Sequence, residues 1–282
     1  MTLPGEFDLH IIDTCNLHCT ECIVLDYLGD NKVTNQKYNL NDVKEVMSNF
    51  MRLDLRVEEL KILGGEPTLS KHLDDIIDYL EDVKVHDKLT LVTNGLNFTE
   101  NVVNSLIKLD KLIISVYPVD GLEGIDGDGV RFAKFKTNLE HQIRTSKLYD
   151  TLHSNLELEF YFQTHFQHYG HKQTHLEYSP ELNWERCWQK DSCRVITKDS
   201  LYRCTNTYSE DKDKCTWEDR QKVIDFIMSD IPLSHCKDCP FPPSEKEWTS
   251  NDLPIDMKNF KRGLEIIKSY GKRIPNISEF NG

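Results

Sequence analysis

The sequence predicts an α/β fold, a partial (β/α)6 barrel followed by a small α+β unit, and three observations carry that prediction. Short apolar strand candidates alternate with segments of helical periodicity over roughly the first 185 residues. Polar residues suited to chemistry recur just after those strands. The nine cysteines fall into two groups, Cys15, Cys19 and Cys22 near the start and Cys187, Cys193, Cys204, Cys215, Cys236 and Cys239 in the last third.

The strand candidates are Phe7 to Ile12, Leu60 to Leu63, Leu89 to Thr93, Leu112 to Tyr117 and Leu156 to Gln163, each apolar and bounded by polar, Gly or Pro residues. Between them Asn41 can cap a helix through about Leu53, Ser70 one through about Leu80, and Thr99 one with Val102, Val103, Leu106 and Ile107 on a single face. Such alternation argues for a parallel sheet covered by helices. A closed eight-stranded barrel takes about 250 residues, so the shorter alternation suits an incomplete barrel of about six units. In that architecture the site lies at the carboxyl ends of the strands. The first cysteines, Gly64-Gly65-Glu66-Pro67, Thr93-Asn94-Gly95 and Ser115 all occupy such positions. The segment Val119 to Val130, with four glycines, reads as a solvated mobile loop.

Composition excludes several classes. With 282 residues, 38% hydrophobic and 29% charged, and a mean hydropathy of -0.54, the chain is globular in composition. Its longest apolar runs are strand-sized and fall short of the ~20 residues of a spanning helix. A net charge of -13 and a pI near 5.3 argue against a general nucleic-acid binder, which needs Lys and Arg to neutralise phosphates. The segment Met1 to Asp8 has no basic stretch ahead of an apolar one, so no secretory signal is read and a cytoplasmic location is expected. In a reducing compartment grouped cysteines point to metal or cluster ligation rather than disulfides.

Cys15-Asn16-Leu17-His18-Cys19-Thr20-Glu21-Cys22 sets three thiols at CxxxCxxC spacing straight after a strand. Three thiolates on one loop can hold three irons of a four-iron cluster and leave the fourth open to a small molecule. A structural zinc site would want a fourth protein ligand, and only His18 lies close by. In Gly64-Gly65-Glu66-Pro67 the glycines expose backbone groups to a ligand, and Glu66 adds an acceptor for an ammonium group.

On these two motifs the sequence resembles the radical S-adenosylmethionine (SAM) family. The resemblance implies a 4Fe-4S cluster on Cys15, Cys19 and Cys22, with SAM on its open iron. One electron, from a flavodoxin or ferredoxin-type donor, would then yield methionine and a 5'-deoxyadenosyl radical that abstracts hydrogen from a substrate. It places the methionyl amino group at Gly64, Gly65 and Glu66, and it adds Thr93, Asn94 and Ser115 as supporting contacts to SAM. The aromatic residue that family members commonly carry before the third cysteine is Glu21 here.

In the last third, Cys193 to Cys204 reads as a hairpin: Val195 and Ile196, a turn at Lys198-Asp199-Ser200, then Leu201 and Tyr202. Helical periodicity from Trp217 to Met228 follows, and then Cys236-Lys-Asp-Cys239. Four such thiols fit zinc or an iron-sulfur cluster. The segment resembles the auxiliary-cluster extension of radical SAM enzymes, the shortened "twitch" form of the SPASM domain, which implies a second 4Fe-4S cluster. Its ligands are expected among Cys187, Cys193, Cys204, Cys236 and Cys239, with Cys187 able to replace Cys193; Cys215 reads as a bystander. The expected division is residues 1–186 for the TIM-like partial barrel and 187–282 for the auxiliary-cluster domain and helical tail.

His165, His168, His171 and His175 fit no standard zinc pattern, although one could face a substrate. Relatives with such an extension act on sugars, aminocyclitols or peptides. Peptide-modifying relatives often carry a leader-binding domain ahead of the barrel. With the cluster loop beginning at Cys15, a small carbohydrate-like substrate is expected, the peptide class being the alternative and a non-catalytic zinc module a more distant one.

Overall fold

The computed structural model describes residues 1–17, 22, 37–95, 97, 105–116, 156–162, 165–168, 179–205, 213–237, 239 and 244–247. Cys19, the start of the Thr99 segment, the Val119 to Val130 segment, His171 and His175 lie outside the described residues.

Strand β1 (Thr2–Ile12) is central, and β2 (Arg56–Gly64), β3 (His86–Thr93), β4 (Lys111–Val116) and β5 (Glu157–Phe162) follow it in parallel order on one side. On its other side β7 (Arg194–Ile196) pairs in parallel, and β8 (Ser200–Tyr202) and β9 (Lys214–Thr216) continue antiparallel. The result is an eight-stranded, mostly parallel sheet, and a separate antiparallel pair joins β6 (His165–His168) to β10 (Ser244–Glu247).

Strand β1 begins five residues earlier than its apolar run predicts. Thr2 and Leu3 pair with Arg56 and Val57, and the register then shifts before Glu6, where Gly5 takes φ +87°. Pro4 and Gly5 hide the strand from pattern reading while forming its bulge.

Helix α1 (Leu40–Arg52) is capped by Asn39, two residues before the predicted cap. Its Oδ1 accepts from the Asn41 and Asp42 amides at 2.8 and 3.3 Å, and Asp42 Oδ2 accepts from the Asn39 amide at 2.7 Å. This reciprocal box satisfies amides that would otherwise lack partners. Val43, Val46, Met47 and Phe50 form its buried stripe. Helix α2 (Leu73–Val83) buries Leu73, Ile76, Ile77 and Leu80, starts three residues after Ser70, and ends at Lys84 in the left-handed region.

Both stripes pack on one sheet face, against Phe7, Leu9 and Ile11 of β1, Leu60 and Ile62 of β2, Leu89 and Leu91 of β3, and Leu112 and Ile114 of β4. Each such side chain contributes about 1.5–3 kcal/mol on burial, so this layer dominates stability. The opposite face carries Glu6, Asp8 and His10 of β1, Glu59 and Lys61 of β2, Thr90 of β3 and Lys111 of β4. Lys61 pairs with Glu6, Thr90 Oγ1 donates to Glu59 at 2.6 Å, and Lys111 pairs with Glu159 at 2.5 Å. One face holds the structure together and the other is polar.

The hairpin forms where predicted, with Val195 opposite Tyr202 and Ile196 opposite Leu201. Thr197 Oγ1 closes its turn by accepting from the Ser200 amide at 3.0 Å. Helix α1 holds it to the sheet: Asn49 Nδ2 donates to the Lys198 carbonyl at 3.0 Å, Lys198 pairs with Asp42, and Phe50 meets Trp217 with ring centroids 4.8 Å apart. The sheet therefore runs on through β7 to β9, past residue 186. Among the described residues, helix α3 (Pro180–Arg186) precedes the hairpin and helix α4 (Arg220–Ile227), capped by Asp219, follows β9.

Candidate active site

Three chain segments meet where β1, β2 and β3 end. They are Cys15 to Leu17, Gly64 to Pro67 and Thr93 to Gly95. The Gly65 amide donates to the Ile12 carbonyl at 2.6 Å, and the Glu66 amide donates to the Thr14 carbonyl at 2.9 Å. A Cβ on Gly64 would lie 2.3 Å from the Ile12 oxygen, and one on Gly65 2.4 Å from the Thr14 oxygen. The two glycines thus let the second strand's end touch the backbone leading into the cysteine loop.

Glu66 joins the segments electrostatically. Its side chain is 1% exposed. Oε1 accepts from the Thr68 amide at 3.0 Å, Thr68 Oγ1 at 2.5 Å and Thr93 Oγ1 at 2.6 Å, while Oε2 accepts from the Asn94 amide at 2.7 Å. Burial pushes this carboxyl above its ordinary range, and the four donors pull it back part of the way. The sequence assigns Glu66 to an ammonium group; in the fold both its oxygens already organise neighbouring loops. Thr68 is a partner that the motif alone does not reveal.

Asn94 completes the junction. Its Nδ2 donates to Asn16 Oδ1 at 2.6 Å and lies 3.9 Å from Cys15 Sγ, and the Leu17 amide points at that sulfur from 3.3 Å. Donors aimed at Cys15 favour its thiolate, the form that ligates iron. Cys15 and Cys22 are half-buried. The donor set at Cys15 therefore suits a cluster-ligating thiolate. Ser115, half-buried late in β4, makes no hydrogen bond to these loops among the described residues.

The second cysteine group divides in the fold. Cys187 ends α3, and Asn183 of that helix donates Nδ2 to the carbonyls of Cys236 and Cys239 at 2.9 and 3.2 Å. Cys236 is pushed up to about 11, first by burial, with the Cys187 charge adding to the rise. Arg203, next to Cys204 in the chain, lies within electrostatic reach of Cys236 and stacks 4.6 Å above the Trp184 ring. Cys187, Cys236 and Cys239 thus share one neighbourhood around α3, and Cys204 follows the arginine that reaches Cys236.

Cys193 faces elsewhere. It has φ +61°, and its thiol is pushed up to about 12 by burial and by the nearby Asp8 charge. Its neighbours are Asp8, Lys61 and Glu6 on the polar sheet face. Burial pushes Asp8 up to about 7 and His10 down to about 4. Sequence reading passed over these two; the signal was a polar residue at every second position of an otherwise apolar strand.

Residues 9–143 match the family model described as Radical SAM superfamily. Over this stretch, just under half of the chain, the sequence is similar to radical SAM enzymes. The match supports a 4Fe-4S cluster and SAM as the cofactors.

Over 94 residues the chain is 28% identical to the GTP 3',8-cyclase of Vibrio vulnificus (strain YJ016), spanning 33% of this chain and 28% of that enzyme. The GTP 3',8-cyclase of Vibrio parahaemolyticus is 30% identical over 94 residues with the same two shares. The chain thus spans just over a quarter of the length of these curated relatives. Among solved structures, BtrN in complex with AdoMet and 2-DOIA aligns with TM-score 0.49 and 15% identity, covering 84% of this chain and 93% of that one. SuiB of Streptococcus suis bound to S-adenosylmethionine aligns with TM-score 0.46 and 14% identity, covering 79% and 63%. No helix among the described residues is long and apolar enough to cross a membrane.

Proposed function

We propose that the protein is a radical SAM enzyme that abstracts hydrogen from a small, polar, carbohydrate-like substrate, in a dehydrogenation or an epimerisation. The observation that carries the reading is the junction of the cysteine loop with the Gly64 to Glu66 and Thr93 to Asn94 segments through Asn94, Gly65 and Glu66. Cys15, Cys19 and Cys22 would hold the four-iron cluster, which supplies the electron that cleaves SAM to methionine and the 5'-deoxyadenosyl radical. Around it, Glu66 fixes the positions of Thr93 and Asn94, and Gly64 and Gly65 keep the backbone at the ends of β1 and β2 in contact. The polar sheet face with Asp8, His10, Lys61 and Thr90 favours a hydrophilic substrate over an apolar one.

A second 4Fe-4S cluster belongs to this reading, held by Cys187, Cys204, Cys236 and Cys239. The shared neighbourhood of these thiols around Asn183 and Arg203 supports that set, and the placement of Cys193 beside Asp8 supports leaving it out. The electron donor would be a flavodoxin or ferredoxin-type protein.

Anaerobic reconstitution tests the function. The protein should contain close to two four-iron clusters and release 5'-deoxyadenosine from SAM under reduction. Cys15→Ala, Cys19→Ala or Cys22→Ala should each abolish that product. Its persistence in all three, or a zinc-only protein, would refute the reading. A mass-spectrometric search for metabolites that stimulate 5'-deoxyadenosine release then separates sugar-like substrates from peptides.

A further inference from the structure

The geometry points to a divalent-cation site at the N-terminal rim of the sheet, formed by Glu81, His86 and Asp110. This goes beyond the radical chemistry and lies at the opposite end of β3 from Thr93 and Asn94. Glu81 belongs to the last turn of α2, His86 opens β3, and Asp110 immediately precedes β4. One ligand atom from each lies within 4.8 Å of the others. Ligands about 2.1 Å from a metal stand about 3.4 Å apart in a tetrahedral site, so the set needs to close by up to roughly 1.4 Å. Asp110 is exposed and Glu81 half-buried, so both carboxylates can make that move.

His86 supplies the independent observation. It is 3% exposed, its Nε2 lies 3.2 Å from the Leu80 carbonyl, and its Nδ1 is buried with no hydrogen-bond partner. When Nε2 donates to a carbonyl, Nδ1 keeps the lone pair, which is the arrangement in which a backbone acceptor orients a metal-ligating imidazole. A buried ring nitrogen without a partner is otherwise a cost to the fold. Burial also holds the ring below the ordinary imidazole range, so it is neutral and able to ligate near pH 7.

Each carboxylate has an oxygen to offer. Asp110 Oδ2 accepts from the Leu89 amide at 2.7 Å, leaving its other oxygen for a cation. Glu81 Oε2 meets Lys84 at 3.3 Å, and because the lysine side chain is exposed the pair is cheap to break. One imidazole with two carboxylates suits a first-row divalent ion such as Mn²⁺, Fe²⁺ or Zn²⁺ better than the all-oxygen cage that Ca²⁺ takes. Two negative charges offset that of the ion, while Lys84 opposes it. Bound there, a cation would clamp the end of α2 to the starts of β3 and β4.

The test is titration of the anaerobic, cluster-loaded protein with Mn²⁺, read from the electron paramagnetic resonance signal of the free ion. Thiolates select softer metals, so Mn²⁺ reports on oxygen and nitrogen ligands without competing for the cysteines. Wild type should remove close to one equivalent of signal, and Mn²⁺ should raise its melting temperature. Asp110→Asn and Glu81→Gln preserve shape, and Asp110→Asn keeps an acceptor for Leu89; each should weaken binding about 10-fold or more. Undiminished signal with wild type, or equal binding by wild type and both variants, would overturn the site, and neither result bears on 5'-deoxyadenosine release.

Discussion

Asn94 donates its side-chain amide to Asn16 at 2.6 Å, while its own backbone amide donates to Glu66 at 2.7 Å. One residue at the end of β3 therefore ties the cysteine loop after β1 to the acidic residue after β2. The three strand ends behave as a unit, and substitutions in one should be felt in the others.

Asn94→Ala removes the donor facing Asn16 and Cys15 but leaves the backbone bond to Glu66. A single such bond is worth about 1 kcal/mol, so 5'-deoxyadenosine formation should fall about 5-fold with little change in melting temperature. An unchanged rate would show that Asn94 does not position the loop.

Glu66→Gln keeps the shape but turns an amide group toward donors that now face an acceptor carboxylate. At least one of the Thr68, Thr93 and Asn94 donors would lose its partner inside the protein, costing about 1–3 kcal/mol. Denaturant unfolding should show that loss, together with lower iron content after reconstitution.

Gly64→Ala and Gly65→Ala drive a methyl group against backbone oxygens of Ile12 and Thr14 that have no room to yield. Each should destabilise the protein more than an alanine placed in the exposed part of α1. The comparison of melting temperatures checks this, and retention of full cluster content by both variants would argue against close contact of the strand ends.

Asp8 and His10 make opposite pH demands on stability. Asp8 is raised from 3.8 to about 7, so its contribution is present at low pH and is lost as pH rises through about 7. His10 is lowered from 6.5 to about 4, so its contribution is present above 6.5 and is lost as pH falls through about 4. Between pH 4 and 6.5 the two slopes cancel. Asp8→Asn should therefore make stability rise with pH across that window and, above pH 7, relieve a penalty on the order of 4 kcal/mol. His10→Gln should leave stability falling with pH instead. Chemical denaturation at several pH values reads both signs, and parallel profiles for wild type and Asp8→Asn would refute the assignment.

Cys193→Ala should retain the second cluster, whereas Cys187→Ala should lose it. Iron and sulfide content after reconstitution decides between the two thiols. The reverse pattern would move the ligand set to the hairpin.

The strands and helices were legible because each buries one face: Val43, Val46, Met47 and Phe50 recur at helical spacing, and Leu89 and Leu91 alternate along β3. Boundaries were less so. Pro4 and Gly5 concealed the bulged start of β1, and Asn39 rather than Asn41 closes the α1 cap, because the choice among neighbouring polar residues depends on which side chain meets the free amides. The polar sheet face escaped notice because Glu6, Asp8 and His10 sit among apolar neighbours in a single strand. Their meaning depends on Lys61 and Cys193, which come from β2 and the approach to β7.

The order of residues along the chain by itself determined the chemistry on offer: three thiols at close spacing, a double glycine followed by an acid, and a later set of cysteines. These are local patterns, and reading them needs no knowledge of distance across the fold. Only the tertiary structure decided that Glu66 spends both oxygens on Thr68, Thr93 and Asn94, and that Cys187 rather than Cys193 shares the surroundings of Cys236. The physical reason is that parallel strands bring together segments tens of residues apart, and their register, set by core packing on the other face, selects which side chains meet.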